Sequence, residues 1–338
     1  MRLFGFLFIL TFLGMSCQSP VVEETQTECQ LVFMDSLQAA KTIVKDDAEH
    51  FFEQISMLDI AIQLKFISTR QRTQKEFLQE YHYYLQDDVR AFTPPEKALL
   101  EDVLAEAFRL CRQLSPALVP DTLGLIKTPG KHYGPSVFYT RERNIIIPQS
   151  DLLEPDRPEL LRVMLHELFH IYSRYHPKQR QELYALIGFR PLPGGRAALR
   201  FPPQLEESLL TNPDGINVAA AIRLPHPTRS EVQAIPLIRS RYPAFNPAIR
   251  DFFPYLQFDL YAIRQKSDGT FVVLSRSDGS STLSEAEKQG FYEQIGDNTD
   301  YIIHPDEVLA DNFALLLLEG AGGDGLLKGM KRIIERPM

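Results

Sequence analysis

The pentad His166-Glu167-Leu168-Phe169-His170 sets two imidazoles four residues apart, with a carboxylate directly after the first. On an α-helix, residues four apart stack on one face, so His166 and His170 can reach one metal ion. Glu167, turned about 100° round the axis, can reach a water on that ion. Zinc held in this way lowers the pKa of its water to about 7, and the carboxylate takes the proton as the water attacks a carbonyl. The pattern arises by chance on the order of once per hundred chains of this size. Its flanks make chance a poor account. Leu160, Leu161, Val163, Met164 and Leu165 precede it and Ile171 and Tyr172 follow, so the helix is apolar round nearly its whole circumference and belongs in a core. Two His and a Glu buried there need a metal or charged partners to offset their lost hydration.

The third ligand has several candidates. His176 stands at the spacing of the metzincin pattern HExxHxxGxxH, but Ser173 occupies the position where that pattern needs Gly. No later methionine offers a Met-turn, and Pro177 gives His176 a plainer role in closing the site helix before the next one opens. Glu206 and Glu207 follow Pro202-Pro203 in a short segment with no Asp one turn on. Glu307 lies in Ile303-His304-Pro305-Asp306-Glu307-Val308-Leu309-Ala310-Asp311, where Pro305 suits a helix's first turn and Asp311 shares a face with Glu307. A carboxylate pairing with the helix dipole is the plain alternative for Glu307.

The HExxH helix and the Glu307/Asp311 helix together resemble the gluzincin families of zinc peptidases, in which a Glu on a second helix completes the site. The resemblance covers about thirty residues, and the long span from 171 to 306 departs from better-known members. It implies His166, His170 and Glu307 as Zn2+ ligands, Glu167 as general base and then acid, and Asp311 as the partner that orients His166. It also implies a peptide or protein substrate. An edge strand beside the cleft would accept that substrate as a further strand. Residues 144 to 148 are the candidate edge strand, with an ordinary core strand as the alternative; Ser136 to Thr140 reads as its neighbour. Donors to the developing oxyanion are His304 and Tyr301, with His226 and Tyr242 in loop-like stretches as further candidates.

Arg2 followed by a short apolar run to Met15 reads as a secretory signal, residues 1 to 16, too short to span a membrane comfortably. Ser16-Cys17 resembles a bacterial lipoprotein signal. It implies a lipid anchor on Cys17, a polar tether over 17 to 30, and a place at the bacterial cell envelope, periplasmic or on the outer surface. Plain secretion is the alternative. Cys29 and Cys111 could then pair in an oxidising compartment or remain separate thiols.

The 338 residues are 44% hydrophobic and carry a net charge of −8, which gives a folded body and argues against a nucleic-acid partner. The expected fold is α+β with a zincin-like core. Residues 31 to 115 read as a helical region, 116 to 190 as the first part of the catalytic core, 191 to 300 as a β-containing insertion, and 301 to 338 as the second part with the third-ligand helix. The rival function is a non-catalytic envelope lipoprotein that binds peptides, glycans or a partner; a further rival keeps the zinc chemistry but cuts a cell-wall amide.

Overall fold

The computed structural model describes residues 28–67, 72–214, 219–225 and 231–336. The signal segment, Cys17, most of the tether and His226 lie outside these. Strand β1 (Gln30–Phe33) leads into five helices, α1 (Ser36–Thr42), α2 (Phe51–Gln54), α3 (Met57–Gln63), α4 (Gln74–Asp87) and α5 (Pro94–Leu114). Capping boxes start three of them: Asp35 with Gln38 for α1, Thr73 with Glu76 for α4, and Thr93 with Glu96 ahead of the Pro94-Pro95 opening of α5. Phe77, Tyr81 and Leu85, four apart on α4, all turn inward. The helical region therefore begins with a strand, not at residue 31 as a helix. Leu31-Val32-Phe33 is too short an apolar run for its period to separate strand from helix.

The chain continues through β2 (Thr122–Thr128), β3 (Tyr139–Arg141), β4 (Asn144–Pro148), α6 (Ser150–Leu153), α7 (Arg157–Tyr175) and α8 (Pro177–Leu186). The first four strands form one sheet in the order β1-β2-β4-β3, parallel except for β3. Side chains alternate across it. Leu123, Leu125, Ile145 and Ile147 enter a core with α5 and α7, while Ile126, Ile146 and Tyr139 enter a second core with the α1–α4 region. With both faces covered, all five residues of β4 are buried. Residues 144 to 148 are thus an inner strand, and the edges belong to β3 beside it and to β1 on the far side. A strand packed on both sides loses the polar/apolar alternation that would have separated the two cases.

The insertion carries β5 (Phe189–Pro191), β6 (Leu199–Arg200), α9 (Pro203–Glu206), β7 (Ala220–Pro225), β8 (Glu231–Ser240), β9 (Leu256–Gln265), β10 (Phe271–Val273) and α10 (Glu285–Ile295). Its strands make a six-stranded sheet in the order β5-β7-β8-β9-β10-β6, antiparallel except where β10 meets β6. Strand β8 was hidden in the sequence by Pro236, which lacks a ladder donor. It is tolerated because pairing with β7 ends at Ala234. Then α11 (Pro305–Glu319) and α12 (Gly325–Ile334) return to the first core, with Phe313 of α11 packed 5.4 Å from Phe169 of α7. The chain is a mixed α+β protein. Cys29 and Cys111 are free thiols, and no helix among the described residues is long and apolar enough to cross a membrane.

The helical region reaches into the insertion through Asp59 of α3, which is fully buried. Its carboxylate accepts from Gln63 Nε2 at 2.7 Å and from the Thr211 backbone N–H at 2.7 Å, and Ser56 Oγ donates to the Leu209 carbonyl. Burial pushes the Asp59 carboxyl up from 3.8 to about 7. Between these values the folded chain holds a proton that the unfolded chain has released, so this group's contribution is fully present at acid pH and is lost as pH rises towards 7. Asp59→Asn removes the titration. Urea unfolding at a series of pH values should show the wild type losing a few kcal/mol relative to Asp59→Asn from about pH 4 to pH 7, at about 1.4 kcal/mol per pH unit. A flat difference would place the titration elsewhere.

Candidate metal centre

Two helices build the centre. Asp156 caps α7, its side chain accepting from the Glu159 N–H, and Pro158 opens the first turn; His176 closes α7 where Pro177 begins α8. This puts His166, Glu167 and His170 in mid-helix, away from both ends. For α11, His304 is the cap, its Nδ1 accepting from the Asp306 N–H, and Pro305 is the first residue. Asp306 and Glu307 therefore lie in the first turn, where the helix dipole favours carboxylates.

Three side-chain atoms converge where the helices meet. His166 Nε2 lies 3.0 Å from His170 Nε2 and 3.1 Å from Glu307 Oε2, and His170 Nε2 lies 3.2 Å from the same oxygen. All three residues are buried, His170 and Glu307 completely. On the far side of each ring stands a carboxylate: His166 Nδ1 meets Asp311 Oδ1 at 2.8 Å, and His170 Nδ1 meets Asp306 Oδ2 at 2.7 Å. These bonds place the N–H on Nδ1 and leave both Nε2 lone pairs facing a carboxylate oxygen. Three lone-pair donors aimed at one point call for a cation between them. Zinc bonds of about 2.0–2.1 Å in tetrahedral geometry set ligand atoms about 3.3 Å apart, close to the observed edges. The donor set and spacing fit, so this buried group could hold a metal ion.

The carboxylates around the two rings favour positive charge at this point, whether a proton or a metal ion carries it. Burial works against charge on His166, yet its bonds to Asp311 and Glu307 outweigh that and raise it to about 9. Glu307, despite its burial, is held well below the usual carboxylate range by the two imidazoles. Glu167 behaves differently: burial, reinforced by the charge of Asp214, pushes it up to about 8, and its Oε2 has no hydrogen-bond partner.

A further set of contacts holds these groups. Asp306 Oδ1 accepts from Ser173 Oγ and from Tyr184 OH at 3.0 Å; Asn212 Nδ2 donates to Glu307 Oε1; Thr299 Oγ1 donates to Asp311 Oδ2, and Arg162 Nη1 approaches Asp311 Oδ1 at 3.3 Å. A cleft of about 260 Å³ opens over the centre. Glu167, Asp214, Tyr301 and Glu307 form its polar floor, and Val137, Phe138, Val163 and Phe253 its apolar walls.

The structure brings together His166, Glu167, His170, Glu307, Asp311 and Tyr301, whose ring lies 6.1 Å from that of His166. It does not bring His304, which spends Nδ1 on the helix cap and lines a separate apolar cavity with Phe51 and Ile303; the spacing showed nearness in sequence, not direction. His176 faces away, stacked on Tyr172 with Nδ1 against the Tyr172 carbonyl. Ser173 stays helical and serves Asp306, where a metzincin would need Gly. Glu206 and Glu207 are exposed, and Tyr242 packs on Tyr255 at the end of β8. The sequence reading missed Asp306, Asn212 and Asp214. The first resembles any acidic residue in a first helical turn, and Asn212-Pro213-Asp214 reads as a turn. Comparison with protein-family models, curated proteins and solved structures finds no match.

Proposed function

We propose that this chain is a zinc-dependent metallopeptidase of gluzincin type with a zincin-like core, held at the bacterial cell envelope through a lipidated Cys17. The observation that carries the reading is the triangle of His166 Nε2, His170 Nε2 and Glu307 Oε2, with edges of 3.0 to 3.2 Å, beside an unpartnered buried carboxylate in an open cleft. A site built only to hold structure has no use for Glu167, and a fourth protein ligand would close it.

Zinc bound by these three residues would supply a Lewis acid that polarises the scissile carbonyl and activates water. Glu167 takes the proton from that water as it attacks and passes it to the departing nitrogen, the work of a buried carboxylate whose Oε2 has no other hydrogen-bond partner among the described residues. Asp311 and Asp306 keep each imidazole in one tautomer and one orientation. Tyr301 stands on the floor where a phenolic O–H could meet the oxyanion. The segment Ser136 to Phe138, leading into edge strand β3, borders the cleft where an extended peptide would lie, and the apolar walls suit an apolar side chain.

Elemental analysis of the chain from residue 18 onward tests the reading. One zinc per chain is expected, lost in His166→Ala and in Glu307→Ala but kept in His176→Ala. Saturating zinc at about a thousand times Kd should stabilise the fold by about 4 kcal/mol, read as a rise in Tm that a chelator reverses. A wild-type chain without zinc, or with zinc but inert against a peptide library, would favour the binding-lipoprotein alternative.

A further inference from the structure

We infer that Asp214, delivered by the insertion, is a positioning residue that faces the open side of the metal centre and holds the attacking water there by accepting one of its hydrogens. The inference rests on the metallopeptidase reading.

The two oxygens of Asp214 have different surroundings. Oδ1 accepts from the Thr140 backbone N–H and from Thr140 Oγ1, both at 2.8 Å, which ties it to edge strand β3. Among the described residues no donor is bonded to Oδ2, which points towards the centre, 3.9 Å from His170 Nε2. The backbone cannot swing it closer. Arg174 Nη2 donates to the Asp214 carbonyl at 2.9 Å and Arg141 Nη2 to the Pro213 carbonyl at 3.0 Å. Two residues earlier Asn212 grips Glu307, so one rigid turn touches a ligand and the open side together.

Asp214 stands beside the ligand group without belonging to it. The three ligand atoms stand within 3.2 Å of one another, and Asp214 Oδ2, 3.9 Å from His170 Nε2, is not among the donors that converge. A bland role in packing accounts poorly for the residue type. Asp214 is 4% exposed and shares the cleft floor with Glu167 and Glu307, where a third negative charge is costly. Asn would satisfy Thr140 equally well. A carboxylate is needed only if Oδ2 meets a donor or a cation.

Asp214→Asn isolates that oxygen, since its Oδ1 keeps both Thr140 bonds. The full soluble chain is loaded with cobalt(II) in place of zinc, and the visible absorption bands report the groups around the ion. The variant should bind one cobalt with affinity within about tenfold of wild type, as expected for a change beyond the direct ligands. Its bands should shift, and peptide hydrolysis by the zinc form should lose about 100-fold in kcat with KM little changed. Asp214→Ala, which also cuts the tie to β3, should show the same spectral change with a lower Tm. A spectrum and kcat equal to wild type in Asp214→Asn would overturn the inference and leave Asp214 structural. A wild-type chain that takes up no cobalt overturns the metal reading first, and this one with it.

Discussion

Glu167→Gln should retain one zinc per chain and hydrolyse peptides about a thousandfold more slowly than the wild type, because binding and proton transfer have separate physical causes. Glu167 lies outside the ligand triangle, so exchanging its carboxylate for an amide of the same shape leaves the three donors and their spacing untouched. Zinc content and Kd should stay within a few-fold. An amide, however, cannot take a proton from water or return one to a leaving nitrogen, and groups acting in this way contribute about 10²–10⁴-fold. The surroundings of Glu167 suit proton traffic. Burial and the neighbouring charge of Asp214 push the carboxyl up to about 8, and its Oε2 has no partner that would hold the proton. Folding should not suffer: Gln is neutral, and a buried neutral group at 3% exposure is easier to keep than a carboxylate beside Asp214 and Glu307. Equal rates in the two proteins would remove Glu167 from the chemistry, while zinc lost with the carboxylate would make it a ligand. Either result redraws the centre.

Local spacing carries the legible part of this molecule. His166 and His170 at four apart, and Glu307 with Asp311 at four apart, each fix a shared helix face, and those faces do meet. The α+β class, the helical region and the β-containing insertion were legible from periodicity. The illegible part depends on which faces meet across long separations. Asp306 and Glu307 are neighbours on one helical turn, about 100° apart, so Asp306 reaches only Nδ1 of His170, behind the ring, while Glu307 reaches Nε2 of both imidazoles. Only the placement of α11 against α7 decides that Asp306 takes His170 and Glu307 the open triangle. Asn212 and Asp214 lie in a turn whose destination is set by contacts to Asp59, Thr140, Arg141 and Arg174, none of them near in sequence. The β3 edge was missed for a related reason. Strand order is a pairing property, and a five-residue apolar run carries no mark of its neighbours.

Asp306 offers the sharpest separation of stability from metal binding, because its two oxygens serve different masters. Oδ2 meets His170 Nδ1 at 2.7 Å, and Oδ1 accepts from Ser173 Oγ and Tyr184 OH; the residue is fully buried. In Asp306→Ala three buried donors lose their acceptor, and the apo protein should lose about 3–5 kcal/mol in urea unfolding. Asp306→Asn behaves differently. Its Oδ1 can still serve Ser173 and Tyr184, so most of the stability remains, but its amide now presents hydrogens to His170 Nδ1. The ring must then accept at Nδ1 and carry its own hydrogen on Nε2, inside the ligand triangle where the lone pair is needed. Zinc affinity measured by chelator competition should fall about 10–100-fold in Asp306→Asn even though the fold is nearly as stable as wild type. Asp311→Asn should fall less, since Asp311 is more open at 19% side-chain exposure, and solvent can restore a hydrogen-bond acceptor for His166. Equal zinc affinity in wild type and Asp306→Asn would mean that the His170 tautomer is not set by Asp306. An unfolded Asp306→Asn would mean that the carboxylate charge itself, and not its hydrogen-bond geometry, secures the join between α7 and α11.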